Sequence, residues 1–180
     1  MKSQVSPRRF KHIQGVVKTS GILAKRFGQS APKATLAAWL HDCAKELSRA
    51  EMLSWLKGTP FHLDAVEKQM PGLWHPHAGA AIALKKWKIK DQAVLEAIRS
   101  HTLGGVWMDS LAQVVFVADF IEPGRVFEGV QQARAAARRG LTEAVYVKAA
   151  LTLEQLLKSR EMIHPRLLLT WNAFLLKDKK

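Results

Sequence analysis

The feature that most constrains this chain is the spacing of its apolar residues. They return every three or four positions along most of the sequence and are cut into segments by capping residues and glycines. That period belongs to the α-helix, in which residues three and four apart share a face. Ser6-Pro7 predicts the first start, with a hydroxyl to cap and a proline at the first helical position, where no N–H is needed. Phe10, Ile13, Val16, Val17, Leu23 and Phe27 follow, and Gly28 predicts the stop. Ser30 caps a second helix through Leu36, Trp39 and Leu40. Ser48-Arg49-Ala50-Glu51 reads as a capping box ahead of Met52, Leu53, Trp55 and Leu56, with Gly58 and Pro60 ending that helix. Further helices are expected over 75–87, from Asp91 through Ile98 to a break at Gly104-Gly105, and over 111–121, 131–139, 142–158 and 165–176. The run 111–121 is nearly all apolar, and its length favours a buried helix over a strand. No period-two alternation persists and no repeat or linker interrupts the pattern. The expectation is one all-α helical bundle, a single domain over residues 1–180.

A chain of 180 residues is long enough to bury a sizeable core. Its 48% hydrophobic and 24% charged residues exclude a disordered or low-complexity chain. Lys and Arg number 28 against 15 Asp and Glu, a formal charge of +13 that favours anionic partners: nucleic acid, a phosphorylated small molecule or a membrane surface. The single cysteine, Cys43, excludes an internal disulfide framework and a cysteine-based zinc module, and fits a reducing compartment. The first ten residues hold no apolar leader core, and no stretch approaches the ~18 apolar residues of a membrane span. These features predict a cytoplasmic protein with no membrane partner.

Seven histidines are present: His12, His41, His62, His75, His77, His101 and His164. His41-Asp42 closes an apolar helix in LAAWLHDCAK, and His12 and His101 lie on amphipathic segments. Asp119 interrupts the most hydrophobic stretch, VVFVADFIEP. A carboxylate there is costly unless it is paired, hydrogen-bonded or bound to a metal.

A histidine on the first helix, an adjacent His-Asp pair after the second and a late aspartate in an apolar helix resemble the metal-dependent phosphohydrolases of the HD-domain family. The segments LWHPHAGA, AIRSHT and VADFIEPGR, in that order, are similar to the bacterial YqeK branch of it. The resemblance runs from about residue 8 to the Trp-Asn pair near 172. It implies an HD-type helical bundle that hydrolyses diadenosine tetraphosphate symmetrically to two ADP, using a metal-activated hydroxide at a dinuclear site. It also implies six ligands, His12, His41, Asp42, His75, His101 and Asp119, with Asp42 bridging two metals and His75 and His101 completing the second site. His77 stands where the family usually has an apolar residue. Helical spacing puts it on a different face from His75, and His75 is taken as the ligand.

Polyphosphate anhydrides are anionic and repel nucleophiles, and paired divalent cations answer both difficulties. Imidazole with carboxylate suits iron, manganese, nickel, cobalt or zinc; the resemblance implies iron. Asp42 and Lys45 are the expected catalytic residues, with Lys45, Arg99, Thr102 and Arg125 as substrate contacts. Trp107, in a glycine-rich loop, either stacks an adenine or packs within its loop. Cys43 is expected to be a small packing residue. Two alternatives stand beside this reading. One is an HD phosphohydrolase acting on a guanosine polyphosphate, a deoxynucleotide or a cyclic nucleotide. The other is a basic helical nucleic-acid-binding protein, supported by the clusters at 85–90 and Arg134, Arg138 and Arg139; solvated basic faces explain both clusters, so nucleic acid ranks below a dinucleoside polyphosphate as partner. Monomer and homodimer are both left open.

Overall fold

The computed structural model describes residues 5–178, so residues 1–4 and 179–180 of the expected domain lie outside it. Among the described residues there is no strand, and the all-α expectation holds. The helices are α1 (Pro7–Arg26), α2 (Ala31–Leu40), α3 (Arg49–Leu56), α4 (His75–Lys85), α5 (Gln92–Ser100), α6 (Ser110–Ile121), α7 (Val130–Arg139), α8 (Leu141–Lys158) and α9 (Pro165–Asp178). Two single 3₁₀ turns, Glu67–Gln69 and Pro71–Leu73, lie in the segment between α3 and α4.

The caps form as their chemistry dictates. Ser6 and Ser30 accept from Arg9 N and Lys33 N, Asp91 accepts from Val94 N, and Ser48 with Glu51 closes the capping box. Each satisfies backbone donors that the first helical turn leaves free. Helix α4 stops at Lys85 rather than reaching residue 87, because the chain turns there and Lys88 takes a positive φ of 57°.

Helix α6 is the axis of the bundle. Leu111, Ala112, Val114, Val115, Phe116, Val117, Ala118 and Ile121 are all buried, and α1, α2, α5, α7 and α8 pack around it. Burial on every side explains why its sequence shows no polar face. Small residues on the neighbours, Ala34, Ala37 and Ala38 of α2 with Ala80 and Ala83 of α4, belong to the same core. A smaller cluster of Cys43, Ala44, Met52, Trp74, Ala78 and Ile82 backs the turn that follows α2. This packing places the C-terminal ends of α2, α5 and α6, the N-terminal end of α4 and the second turn of α1 around one point. No helix among the described residues is long and apolar enough to cross a membrane.

Candidate metal centre

Four histidines and two aspartates meet where those helices converge. His12 comes from the second turn of α1, His41 and Asp42 from the turn after α2, and His75 from the first residue of α4. His101 follows the last residue of α5, and Asp119 projects from α6. His12, His41 and Asp42 form one set with mutually close ligand atoms; Asp42, His75 and His101 form a second. Asp42 divides its oxygens between them. Its Oδ2 lies 3.6 Å from His41 Nε2 and 3.8 Å from His12 Nε2, and its Oδ1 lies 3.3 Å from His75 Nε2 and 3.6 Å from His101 Nε2. Asp119 Oδ1 stands 3.0 Å from His12 Nε2 and 3.8 Å from His41 Nε2, on the first set.

The ring orientations are set from behind. Each Nδ1 faces an oxygen: Ala38 O at 2.7 Å for His41, Ile98 O at 2.7 Å for His101, Gly72 O at 2.8 Å for His75 and Glu122 Oε1 at 3.1 Å for His12. Carbonyls and carboxylates only accept, so the proton sits on Nδ1 and the lone pair on Nε2. The Nε2 atoms then face one another in pairs, His12 with His41 at 3.4 Å and His75 with His101 at 3.1 Å. Lone pairs converging on one another and on two carboxylates are the donor arrangement that a divalent cation satisfies, and the oxygen behind each imidazole is the usual outer support of a histidine ligand. The residues fit a pair of metals, with Asp42 shared.

Burial pushes the His41 pKa down to about 4 and the His75 pKa down to about 3, keeping both rings neutral as ligands require. Burial also opposes charge on His12, but the Asp119 and Glu122 carboxylates outweigh it and raise its pKa. Burial alone would raise Asp42 and Asp119. Instead His41, His101 and His75 hold Asp42 well below the ordinary carboxylate range, and His12, Lys148 and His41 do the same for Asp119.

Among the expected substrate contacts, Thr102 Oγ1 is 3.1 Å from His101 Nε2, and Lys45 Nζ is 3.4 Å from His75 Nε2. Arg125 reaches Asp119 twice, Nη2 to Oδ1 at 3.0 Å and Nε to the backbone carbonyl at 3.1 Å. Arg99 is not brought in: its guanidinium is held by Glu96, one turn back on α5, at 2.7 Å. His77 also lies apart. Its buried ring pairs with Glu67 Oε1 at 2.8 Å, which Arg166 of α9 approaches at 3.2 Å. Trp107 does not pack in its loop; it is 90% exposed. Cys43 is buried, and desolvation with the nearby Asp42 charge pushes its thiol up to about 12, so it is no thiolate nucleophile.

Three residues at the site escaped the sequence reading. Glu122 is buried; it accepts from Gly124 N at 2.6 Å as well as supporting His12. Lys148 of α8 is buried too, and donates to His101 O at 2.9 Å and Phe116 O at 2.6 Å, with Asp119 Oδ2 at 3.7 Å. Arg9 Nη1 lies 2.5 Å from Asp42 Oδ2. A lysine inside the apolar stretch AVYVKAAL was the available signal for Lys148. Glu122 and Arg9 had none, since their partners are far away in sequence.

The HD domain family model matches residues 9–124, which spans all six clustered residues. A symmetrical bis(5'-nucleosyl)-tetraphosphatase of Bacillus subtilis is 36% identical over 96% of this chain and 92% of its own length. One of the same name from Halalkalibacterium halodurans is 36% identical over 99% of this chain and 95% of its own. A solved HD superfamily hydrolase of Clostridium acetobutylicum, described as involved in NAD metabolism, superposes with a TM-score of 0.91 at 30% identity, covering 97% of this chain and 93% of that one.

Proposed function

The chain belongs to the HD-domain family, and from that premise we propose that it is a symmetrical diadenosine tetraphosphate hydrolase of the YqeK type, releasing two ADP. The observation that carries this reading is the division of Asp42, one oxygen toward His12, His41 and Asp119 and the other toward His75 and His101. Those six residues would hold two divalent cations, with iron as the resident metal. Bound there, the cations would place positive charge against the anhydride oxygens and lower the pKa of a water.

The chain's own groups supply the rest. Asp42 and the four Nδ1 supports fix the ligand geometry before substrate arrives, so none of that ordering is charged to the reaction. Lys45 and Thr102 flank His75 and His101 and orient phosphates on that side. Arg125 does so beside Asp119. Lys148 holds Asp119 ionised from behind and ties α8 to the carbonyls of Phe116 and His101. That tie, with α7 and α9 packed on α8, supports treating the described chain as one working domain. Water adds to one of the two central phosphorus atoms and the other ADP leaves, so two equal products form.

The test is product analysis. Metal-loaded protein incubated with diadenosine tetraphosphate is expected to give ADP alone, two per substrate. AMP with ATP in comparable amounts would refute the symmetrical assignment, and no turnover with any of the metals above would refute the hydrolase.

A further inference from the structure

Helix α9 carries two apolar stripes and packs only one of them. Leu167, Thr170 and Phe174 are buried and Trp171 is half-buried, against α8, the core and the loop after α5. Pro165, Leu168, Leu169, Asn172 and Leu176 fall at i, i+3, i+4, i+7 and i+11, one continuous stripe of a helix. All five are exposed, Leu168 by 46%, Leu169 by 52% and Leu176 by 64%. A surface helix ordinarily turns charged and polar residues outward. Between Pro165 and Leu176 the only charged residue is Arg166, which lies off the stripe, and its guanidinium is taken by Asp64 and Glu67, both at 3.2 Å. The chain has 28 lysines and arginines to distribute, and none stands on this stripe.

The loop from α5 to α6 adds to this surface. It is fastened at three carbonyls: Thr170 Oγ1 donates to Leu103 O at 2.9 Å, Lys177 Nζ to Val106 O at 3.2 Å and Gln113 Nε2 to Met108 O at 3.0 Å. Gly104 lets it lie on α9, since a Cβ there would stand 2.6 Å from Thr170 Cγ2. The Lys177 bond sets Trp107 near the C-terminal end of α9, with its side chain 90% exposed. A large aromatic on a fastened loop is a pre-organised contact of the kind that anchors interfaces. The three leucines and the indole leave roughly 500 Å² uncovered on one copy, the size at which an apolar surface marks an interaction site. Met by the same surface of a second copy, they would bury about 1,000 Å² before any polar rim, which is what a specific interface needs. Copies that each carry a charge of +13 repel where charged surfaces meet, so self-contact favours an uncharged stripe. We infer that this face joins two copies of the chain in a two-fold dimer, with α9 antiparallel to its mate and Asn172 at the axis. From Asn172 the helix runs about 10 Å back to Pro165 and about 8 Å on to Lys177. An antiparallel pair therefore sets Trp107 over the partner's Pro165 and the partner's Leu168. A polar residue within an apolar helix contact fixes its register, and the Asn172 amide both donates and accepts across the axis.

The experiment is analytical ultracentrifugation of the intact metal-loaded protein between roughly 1 and 100 μM. It is run on the wild type, on the double variant Leu169→Glu/Leu176→Glu, on Trp107→Ser and on Ile22→Glu. Ile22 is 58% exposed on α1 and controls for adding charge at an exposed apolar position. All the substituted side chains are exposed, so helicity and metal content are expected to stay at wild-type values. The wild type is expected to pass from monomer to dimer across the range, and the double variant to remain a monomer at its top. Trp107→Ser is expected to weaken the dimer at least tenfold and Ile22→Glu to stay within twofold. Asn172→Cys tests the axis: with oxidised glutathione it is expected to give a disulfide-linked dimer, and Ile22→Cys is not, the buried Cys43 being common to both. A monomer throughout, a dimer untouched by the double variant or equally weakened by Ile22→Glu, or crosslinking no faster at 172 than at 22 overturns the assignment. Vesicles of phosphatidylglycerol form the last arm. A monomeric protein that floats with them through Leu169 and Leu176 has lipid on this face, and that overturns the second copy.

Discussion

Gly15→Ala tests whether the support behind His12 matters to the metal centre. Gly15 sits on α1 one turn after His12, and a Cβ there would stand 2.3 Å from Glu122 Oε2 and 3.0 Å from its Cδ. No packing tolerates that approach, so the carboxylate must leave. It now meets His12 Nδ1 at 3.1 Å and accepts from Gly124 N at 2.6 Å. Hydrogen bonds to a charged group contribute roughly 1.5–3 kcal/mol each. Replacing a mid-helix glycine by alanine contributes about 1 kcal/mol in the other direction. The loss wins, and a net destabilisation of roughly 2 kcal/mol or more is expected. Removing the partner behind a histidine ligand typically weakens metal binding by roughly 10–100-fold, so the metal effect should be the clearer one. Gly21→Ala is the comparator: on the same helix, its Cβ meets only Thr35 Cγ2, at 3.3 Å, and it should be neutral to slightly stabilising with full metal content. The assay is metal per chain across a limiting-metal titration, with thermal unfolding of the stripped proteins. Gly15→Ala binding two metals with wild-type affinity would refute the idea that Glu122 positions His12.

Asp42→Asn should lower occupancy of both metal positions at once and cost several orders of magnitude in turnover with helicity intact, checked by metal analysis, kinetics and circular dichroism; near-normal metal and turnover would refute the shared bridge. His77→Ala should keep its metals but lose about 1–3 kcal/mol of stability in denaturant titration, because Glu67, itself 1% exposed, loses a buried partner. In stripped protein, His41 and His75 have folded pKa values pushed down to about 4 and about 3, so the unfolded state binds protons first as pH falls below ~6.5. Stability should then drop by up to about 1.4 kcal/mol per pH unit for each ring, and a flat profile from pH 6.5 to 4.5 would contradict their neutral burial. His12 shifts the other way: its raised pKa adds stability to stripped protein below ~6.5 that is lost as pH rises through the folded value. In loaded protein the same proton competes with metal, so the His12 position should empty before the His75 position on acidification, followed by stepwise metal release.

Most of the helical order was legible because it is written locally. Ser6, Ser30, Ser48 and Asp91 each cap the helix their position predicts, and the apolar run at 111–121 is the buried axis its length implied. The misses fall where local signals stop. Asp109 caps α6, and a left-handed Gly129 with φ of 86° opens α7 one residue early. The stretch between α3 and α4 is held by an irregular bond within itself, Trp74 Nε1 to Glu67 O at 2.6 Å, and by a distant one, Asp64 to His164 at 3.1 Å, one hundred residues apart in the chain. No periodicity announces such contacts.

The site divides in the same way. Its six clustered histidines and aspartates were legible from their order along the chain and the resemblance that order carries, with Asp119 conspicuous by itself as a carboxylate in an apolar stretch. The argument that picked out Asp119 applies equally to Lys148, whose pKa burial pushes down to about 8 against the pull of Asp119. Net charge was a poor guide to where an anion would sit. Several basic residues that look like a binding surface in the sequence are structural. Lys85 donates to Lys57 O at 2.9 Å, and Arg134 takes the carbonyls of Ile121, Glu122 and Arg125 at 3.0, 2.9 and 3.0 Å. Arg134 thereby clamps the turn that carries both Glu122, the acceptor behind His12, and Arg125, the partner of Asp119. A cation read as part of a solvated basic helix face thus acts on the centre through the backbone it holds, and the guanidinium and ammonium groups nearest the cluster, Arg125, Arg9 and Lys45, come from three separate turns of sequence.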